Sequence, residues 1–63
     1  MSMDYIRQHY KVPAKRGGRV RYTGGPTPKE GVITSAKGAH LIIRMDGEAS
    51  VGKYHPTWEI EYL

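Results

Sequence analysis

Apolar side chains recur at Met3, Ile6 and Tyr10, three and then four positions apart, which predicts a short helix over residues 2–10 with one apolar stripe. Ser2 is the expected N-cap, and Asp4 falls in the first turn, where the helix dipole favours an anion. Val12-Pro13 should end the helix, because the residue before a proline leaves the α region. From residue 18 the period shortens to two. In Arg19-Val20-Arg21-Tyr22 the alternation sets Val20 and Tyr22 inward and both arginines outward. Gly24-Gly25-Pro26-Thr27-Pro28 reads as a loop, since proline removes ladder donors. Val32-Ile33-Thr34 is a second, β-branched strand, and Lys37-Gly38 is a tight turn. His40 to Met45 alternates most clearly, with Leu41, Ile43 and Met45 on one face and His40, Ile42 and Arg44 on the other. Asp46-Gly47 is a hairpin signature. Ala49 to Tyr54 predicts a fourth strand weakened at Gly52. His55-Pro56-Thr57 predicts one 3₁₀ turn, and Trp58 to Tyr62 a last strand with Trp58, Ile60 and Tyr62 inward.

Five short strands at roughly ten-residue spacing suggest a sandwich or barrel. Sixty-three residues are too few for a two-sheet sandwich of immunoglobulin size. The expected fold is therefore mainly β: a small, bent, five-stranded barrel over residues 18–63, preceded by a helical segment over 1–13 that covers an open end. The whole is expected to form one domain.

Composition narrows the chemistry. There is no Cys, so a disulfide scaffold and a Cys-based zinc site are excluded. No apolar run approaches the roughly 20 residues that span a bilayer, and no signal-peptide core is present, so a cytoplasmic protein with no membrane partner is expected. A domain of this size buries only about 60% of its unfolded surface. Phe is absent, so Tyr and Trp, with polar tips that need partners, carry all the aromatic volume. The formal charge is +4 but uneven: residues 1–32 carry a net +5 and residues 33–63 a net −1. The densest stretch, Lys15-Arg16-Gly17-Gly18-Arg19-Val20-Arg21, suits an anionic partner.

The order Gly18-Arg19-Val20-Arg21-Tyr22, Glu30-Gly31-Val32-Ile33 and Leu41-Ile42-Ile43-Arg44-Met45-Asp46-Gly47 resembles an SH3-like barrel of the KOW or Tudor kind. The ending Tyr54-His55-Pro56-Thr57-Trp58-Glu59-Ile60-Glu61-Tyr62, with Tyr10, Val12 and Pro13, is similar to a set of very small proteins encoded in bacteriophages and prophages. That resemblance implies a fold and a setting but no mechanism. A second resemblance is to the plasmid-borne type II dihydrofolate reductase, a short SH3-like chain that forms a tetramer around a pore for folate and NADPH. Its opening strand is similar to Arg19-Val20-Arg21, and its Val-Gln-Ile-Tyr motif is matched at Val51 and Tyr54. Gly52 and Lys53 replace the middle two residues, and Tyr22 stands where that family has its pore lysine. These departures remove much of the pore chemistry.

Arg19 and Arg21 share one strand face, roughly 7 Å apart by strand rise. That is close to the spacing of successive phosphates in an extended single strand. The nucleic-acid-binding candidates are Lys15, Arg16, Arg19, Arg21, Arg44 and Lys53. Tyr54, His55 and Trp58 are candidate stacking platforms beside them. The structural alternative is that the arginines pair with Glu59 and Glu61 across the first and last strands. Ile42, Tyr54, His55 and Trp58 form a second candidate group, for a protein partner. Trp58 is also the one large filler available for the barrel end, which is the favoured reading for it. His9, His40 and His55 lack metal-ligand spacing, Ser35 and Ser50 lack an evident base, and the Gly-Gly pairs are turns rather than a phosphate cradle. No metal, cofactor or catalytic residue is expected. The expected role is a non-enzymatic binding module for nucleic acid or a nucleic-acid-handling complex. The alternatives are a protein–protein module aimed at a host or viral protein, and an oligomeric reductase. These patterns leave the oligomeric state open.

Overall fold

The computed structural model describes residues 3–63. Helix α1 spans Met3–Tyr10, and five strands follow: β1 (Arg19–Tyr22), β2 (Lys29–Lys37), β3 (His40–Met45), β4 (Gly52–Tyr54) and β5 (Ile60–Tyr62). They form one antiparallel sheet in the order β4-β3-β2-β1-β5. The fold is mainly β with one short helix among the described residues, the class that the alternation predicts.

Each element follows from local rules. The stripe on α1 docks through Ile6, which is fully buried, with Met3 and Tyr10 packed beside it. The helix stops at Lys11, which takes a left-handed φ of 56°, a common C-terminal cap geometry with Pro13 just beyond. The expected Ser2 cap lies outside the described residues. Val20, Ile33, Leu41, Ile43 and Met45 project to one side of the sheet and join Ile6 and Ala14 in a single core.

Strand β2 is longer than the expected Val32–Thr34: it already pairs with β1 from Lys29, and beyond Thr34 it continues through a bulge. Ile33 opposes Ile43, but Ser35 opposes Ile42, so Thr34 is the extra residue. Strict alternation from Ile33 would turn Ser35 and Lys37 inward. With the bulge, Ala36 instead follows Ile33 to the core side, opposite Leu41, and Lys37 faces out opposite His40. The Thr34 hydroxyl donates to the Ile42 carbonyl at 3.1 Å. The sheet also curls. Strands β1 and β4 are three strand spacings apart, about 14 Å if flat, yet Tyr22 and Tyr54 meet with ring centroids 5.0 Å apart. Among the described residues no backbone ladder joins β4 to β5.

Three expectations are corrected. The fourth strand starts at Gly52 rather than Ala49. Asp46-Gly47 does form a turn, with Gly47 at φ 83°, but Arg44 and Met45 stay paired with β2 and the β3–β4 ladder resumes only at Ile43–Gly52. The break after β4 is the expected single turn with an i→i+3 bond, the Trp58 amide donating to the His55 carbonyl at 3.3 Å. Most consequentially, Trp58 does not fill the interior: it is 71% exposed. The reason is local. Glu59 adopts φ 56°, which interrupts the extended chain between Trp58 and Ile60, so the two are no longer in phase. Buried Pro56 and half-buried Tyr62, whose hydroxyl donates to the Pro56 carbonyl at 2.6 Å, fill that end instead.

Candidate nucleic-acid interface

The two arginines of β1 share the outer face, as their alternation requires, and both are engaged there. Arg19 grips Asp46 with two contacts, Nη1 to Oδ1 at 2.8 Å and Nη2 to Oδ2 at 2.6 Å, and reaches Glu30 at 3.4 Å. Arg21 donates to Glu30 and to Glu61, both at 3.2 Å. The hydrogen bond from Arg19 is the main reason the Asp46 carboxyl is held below the usual carboxylate range. The carboxylates in turn raise both guanidinium groups, Arg19 chiefly through Asp46 and Arg21 chiefly through Glu30. Two cations thus meet three anions. A phosphate approaching this face would have to displace carboxylates that already hold the arginines. The pairing with Glu61 is the one the sequence suggests, since β5 lies against β1 with Arg21 opposite Glu61. Glu59 does not join in; its backbone carbonyl takes the Thr23 amide at 2.8 Å.

The other described ion pairs are Arg7–Asp4 and Lys29–Glu48. Outside all of these pairs stand Lys11, Lys15, Arg16, Lys37, Arg44 and Lys53. Three of them share the outer face of β2, β3 and β4. Arg44 lies two residues along β3 from Ile42, Lys53 lies directly across from Ile42 on β4, and Lys37 lies across from His40. Diagonal neighbours in such a ladder sit about 7–8 Å apart. Lys15 and Arg16 are exposed on the turn before β1, where Lys15 lines an open cleft of about 870 Å³ with Ile33, Tyr62 and Leu63.

Aromatic side chains continue this face at the ends of the strands. The His55 ring lies 6.0 Å from His40, stacks on Trp58 at 4.7 Å and 22°, and meets Tyr10 edge-on at 5.1 Å. His9 follows Tyr10 at 4.7 Å, with Tyr5 stacked on it at 5.1 Å. The His55 ring is oriented by Thr57, whose backbone amide donates to Nδ1 at 3.1 Å. Among the described residues, no group of three metal-ligating side chains comes together despite this clustering of histidines.

Of the candidates named from the sequence, Arg44, Lys53, Ile42, His55 and Trp58 therefore fall on one continuous surface. Arg19 and Arg21 lie beyond β2 in an ion-pair lattice, and Lys15 and Arg16 lie on a separate turn. Tyr54 points inward, half-buried against Tyr22, and burial is the main cause that pushes its phenol up. Tyr22, at the place of the pore lysine in the reductase resemblance, is taken up in the same contact. Lys37 and the Tyr5–His9–Tyr10 row were missed. Lys37 was visible only to a reading that carried β2 through a bulge, and the aromatic row depends on where α1 docks.

No helix among the described residues is long and apolar enough to cross a membrane. Comparison with known protein families, curated proteins and solved structures finds no match.

Proposed function

We propose that this chain is a non-enzymatic binding module that engages nucleic acid, or a nucleic-acid-handling complex, through the outer face of β3 and β4. The observation that carries this is the split in the positive charge. Arg19 and Arg21 are held by carboxylates, whereas Arg44, Lys53 and Lys37 share a face and form no described ion pair. Cations so placed neutralise phosphates and release condensed counterions. The sequence resemblance to small SH3-like barrels of phages and prophages supports a module of this kind, in a cytoplasmic setting. Lys15 and Arg16 form a second cationic group on the separate turn before β1, outside this face.

A titration with a single-stranded oligonucleotide over a range of salt tests this. Three phosphate contacts predict a log–log slope of about −2. Arg44→Ala with Lys53→Ala should bring it to about −0.7, while Arg19→Ala with Arg21→Ala should leave it unchanged. The reverse pattern would place the contact on β1, and no affinity at low salt would end the reading. A protein partner is the second reading, favoured by the exposure of Trp58, which stacks on His55 beyond the end of the strand that faces Ile42. It predicts association that persists at high salt and is lost on substituting Ile42.

A further inference from the structure

The exposed indole narrows the class of nucleic acid. This step rests on the proposed reading of the β3–β4 face. Trp58 is the sole tryptophan of the chain and is 71% exposed. In a protein with so small a core, a side chain of that size left outside forgoes substantial apolar burial. It is nevertheless not loose. One ring face lies on His55 at 4.7 Å and 22°. His55 is itself pinned by the Thr57 amide at 3.1 Å, and braced edge-on by Tyr10 at 5.1 Å and by His40 at 6.0 Å. The result is a flat, preorganised platform with its second face open to solvent.

The platform is continuous with the cations. Lys53 and His55 are alternate residues along β4 and its extension, roughly 7 Å apart by strand rise, and Arg44 lies beyond Lys53 around Ile42. A chain of phosphates running along Arg44 and Lys53 would carry its next base to the Trp58–His55 stack. A duplex keeps its base faces inside its own stack, whereas an unpaired base offers a face to an aromatic ring. We infer that the partner is single-stranded nucleic acid, with one base stacked on the open face of Trp58 while Arg44 and Lys53 hold the adjoining phosphates.

The sole tryptophan makes the test direct. The intact chain is titrated at low salt with a short thymidine strand, with an abasic strand of equal length and with a duplex of equal length, following Trp58 fluorescence and, separately, affinity by anisotropy. The thymidine strand should quench the fluorescence and the abasic strand should not. Trp58→Ala should weaken the thymidine strand roughly 5- to 150-fold, the range set by loss of one stacked base, with the salt slope unaltered. Trp58→Phe should recover part of the loss. Equal affinity and equal quenching by thymidine and abasic strands would overturn the stacking while leaving the electrostatic reading in place. Unchanged affinity of Trp58→Ala, or tighter binding of the duplex, would do the same. Failure of every strand to bind would overturn both.

Discussion

Tyr62 shows how one side chain can serve packing and titration together. It fills the end of the core that Trp58 leaves, and its hydroxyl donates to the Pro56 carbonyl. Burial pushes its phenol up to about 12. A group whose folded value exceeds its unfolded value of about 10 contributes stability that is complete below the unfolded value and is lost as pH rises through the folded one. The protein should therefore lose stability between about pH 10 and 12, with a late phenolate absorbance step that coincides with loss of the β signal in circular dichroism. Tyr62→Phe should remove that late step and cost about 1 kcal/mol at neutral pH through the lost hydrogen bond. An absorbance titration complete near pH 10 in the folded parent would contradict the assignment. The carboxyl of Asp46 behaves in the opposite sense. Its bond to Arg19 adds stability above about pH 4, and that contribution fades as acid titrates the carboxylate.

At the scale of the elements, β2 does most to organise the fold, since it pairs with both β1 and β3 and carries the bulge. Gly31 lets β2 and β3 approach closely. A Cβ there would lie 2.6 Å from the Arg44 carbonyl oxygen and 3.0 Å from the Met45 Cα, and backbone atoms cannot step aside. Gly31→Ala should destabilise by about 1–3 kcal/mol, read as a lower urea midpoint. Gly25→Ala meets nothing closer than 3.8 Å and should leave the midpoint where it is. Equal midpoints for the two variants would refute this account of β2. Strands β1 and β3 were legible residue for residue, because their alternation is unbroken. Only Val32 to Thr34 of β2 was legible: Lys29 to Gly31 carry no apolar alternation, and after Thr34 one inserted residue inverts the phase. β5 was misread at its start because Glu59 turns left-handed, a choice that no apolar pattern reports.

Across the whole molecule the margin is thin. A chain of 63 residues has a total stability of about 3–9 kcal/mol, and one buried large-to-small change costs about 2–5 kcal/mol. Ile6 is the buried anchor of α1, so Ile6→Ala should lower the melting temperature steeply or leave the chain largely unfolded at ambient temperature. Trp58→Ala, at an exposed position, should melt close to the parent. Similar melting of the two would mean that α1 is not part of the cooperative unit. The same whole-molecule view explains the charge. Behind the net +4 the charge is divided: Arg19 and Arg21 are held by Asp46, Glu30 and Glu61, whereas Lys37, Arg44 and Lys53 form no described ion pair, and this second group defines the candidate site.

The faces of β1 and β3 and the helix stripe were set by the sequence alone, because along an unbroken element the direction of a side chain relative to its own backbone is a local property with a fixed period. That is why Arg19 and Arg21 could be placed together outside, and Val20, Leu41 and Ile43 together inside, before any strand order was known. Which charges cancel was decided only by the tertiary structure. Arg19 and Asp46 are 27 residues apart and Arg21 and Glu61 are 40 apart; the first pair meets because β2 lies between β1 and β3, which Asp46 follows, and the second because β5 pairs with β1. The aromatic platform likewise needed α1, β3 and the turn after β4 to converge, since stacking acts between rings across space and leaves no periodic trace along the chain.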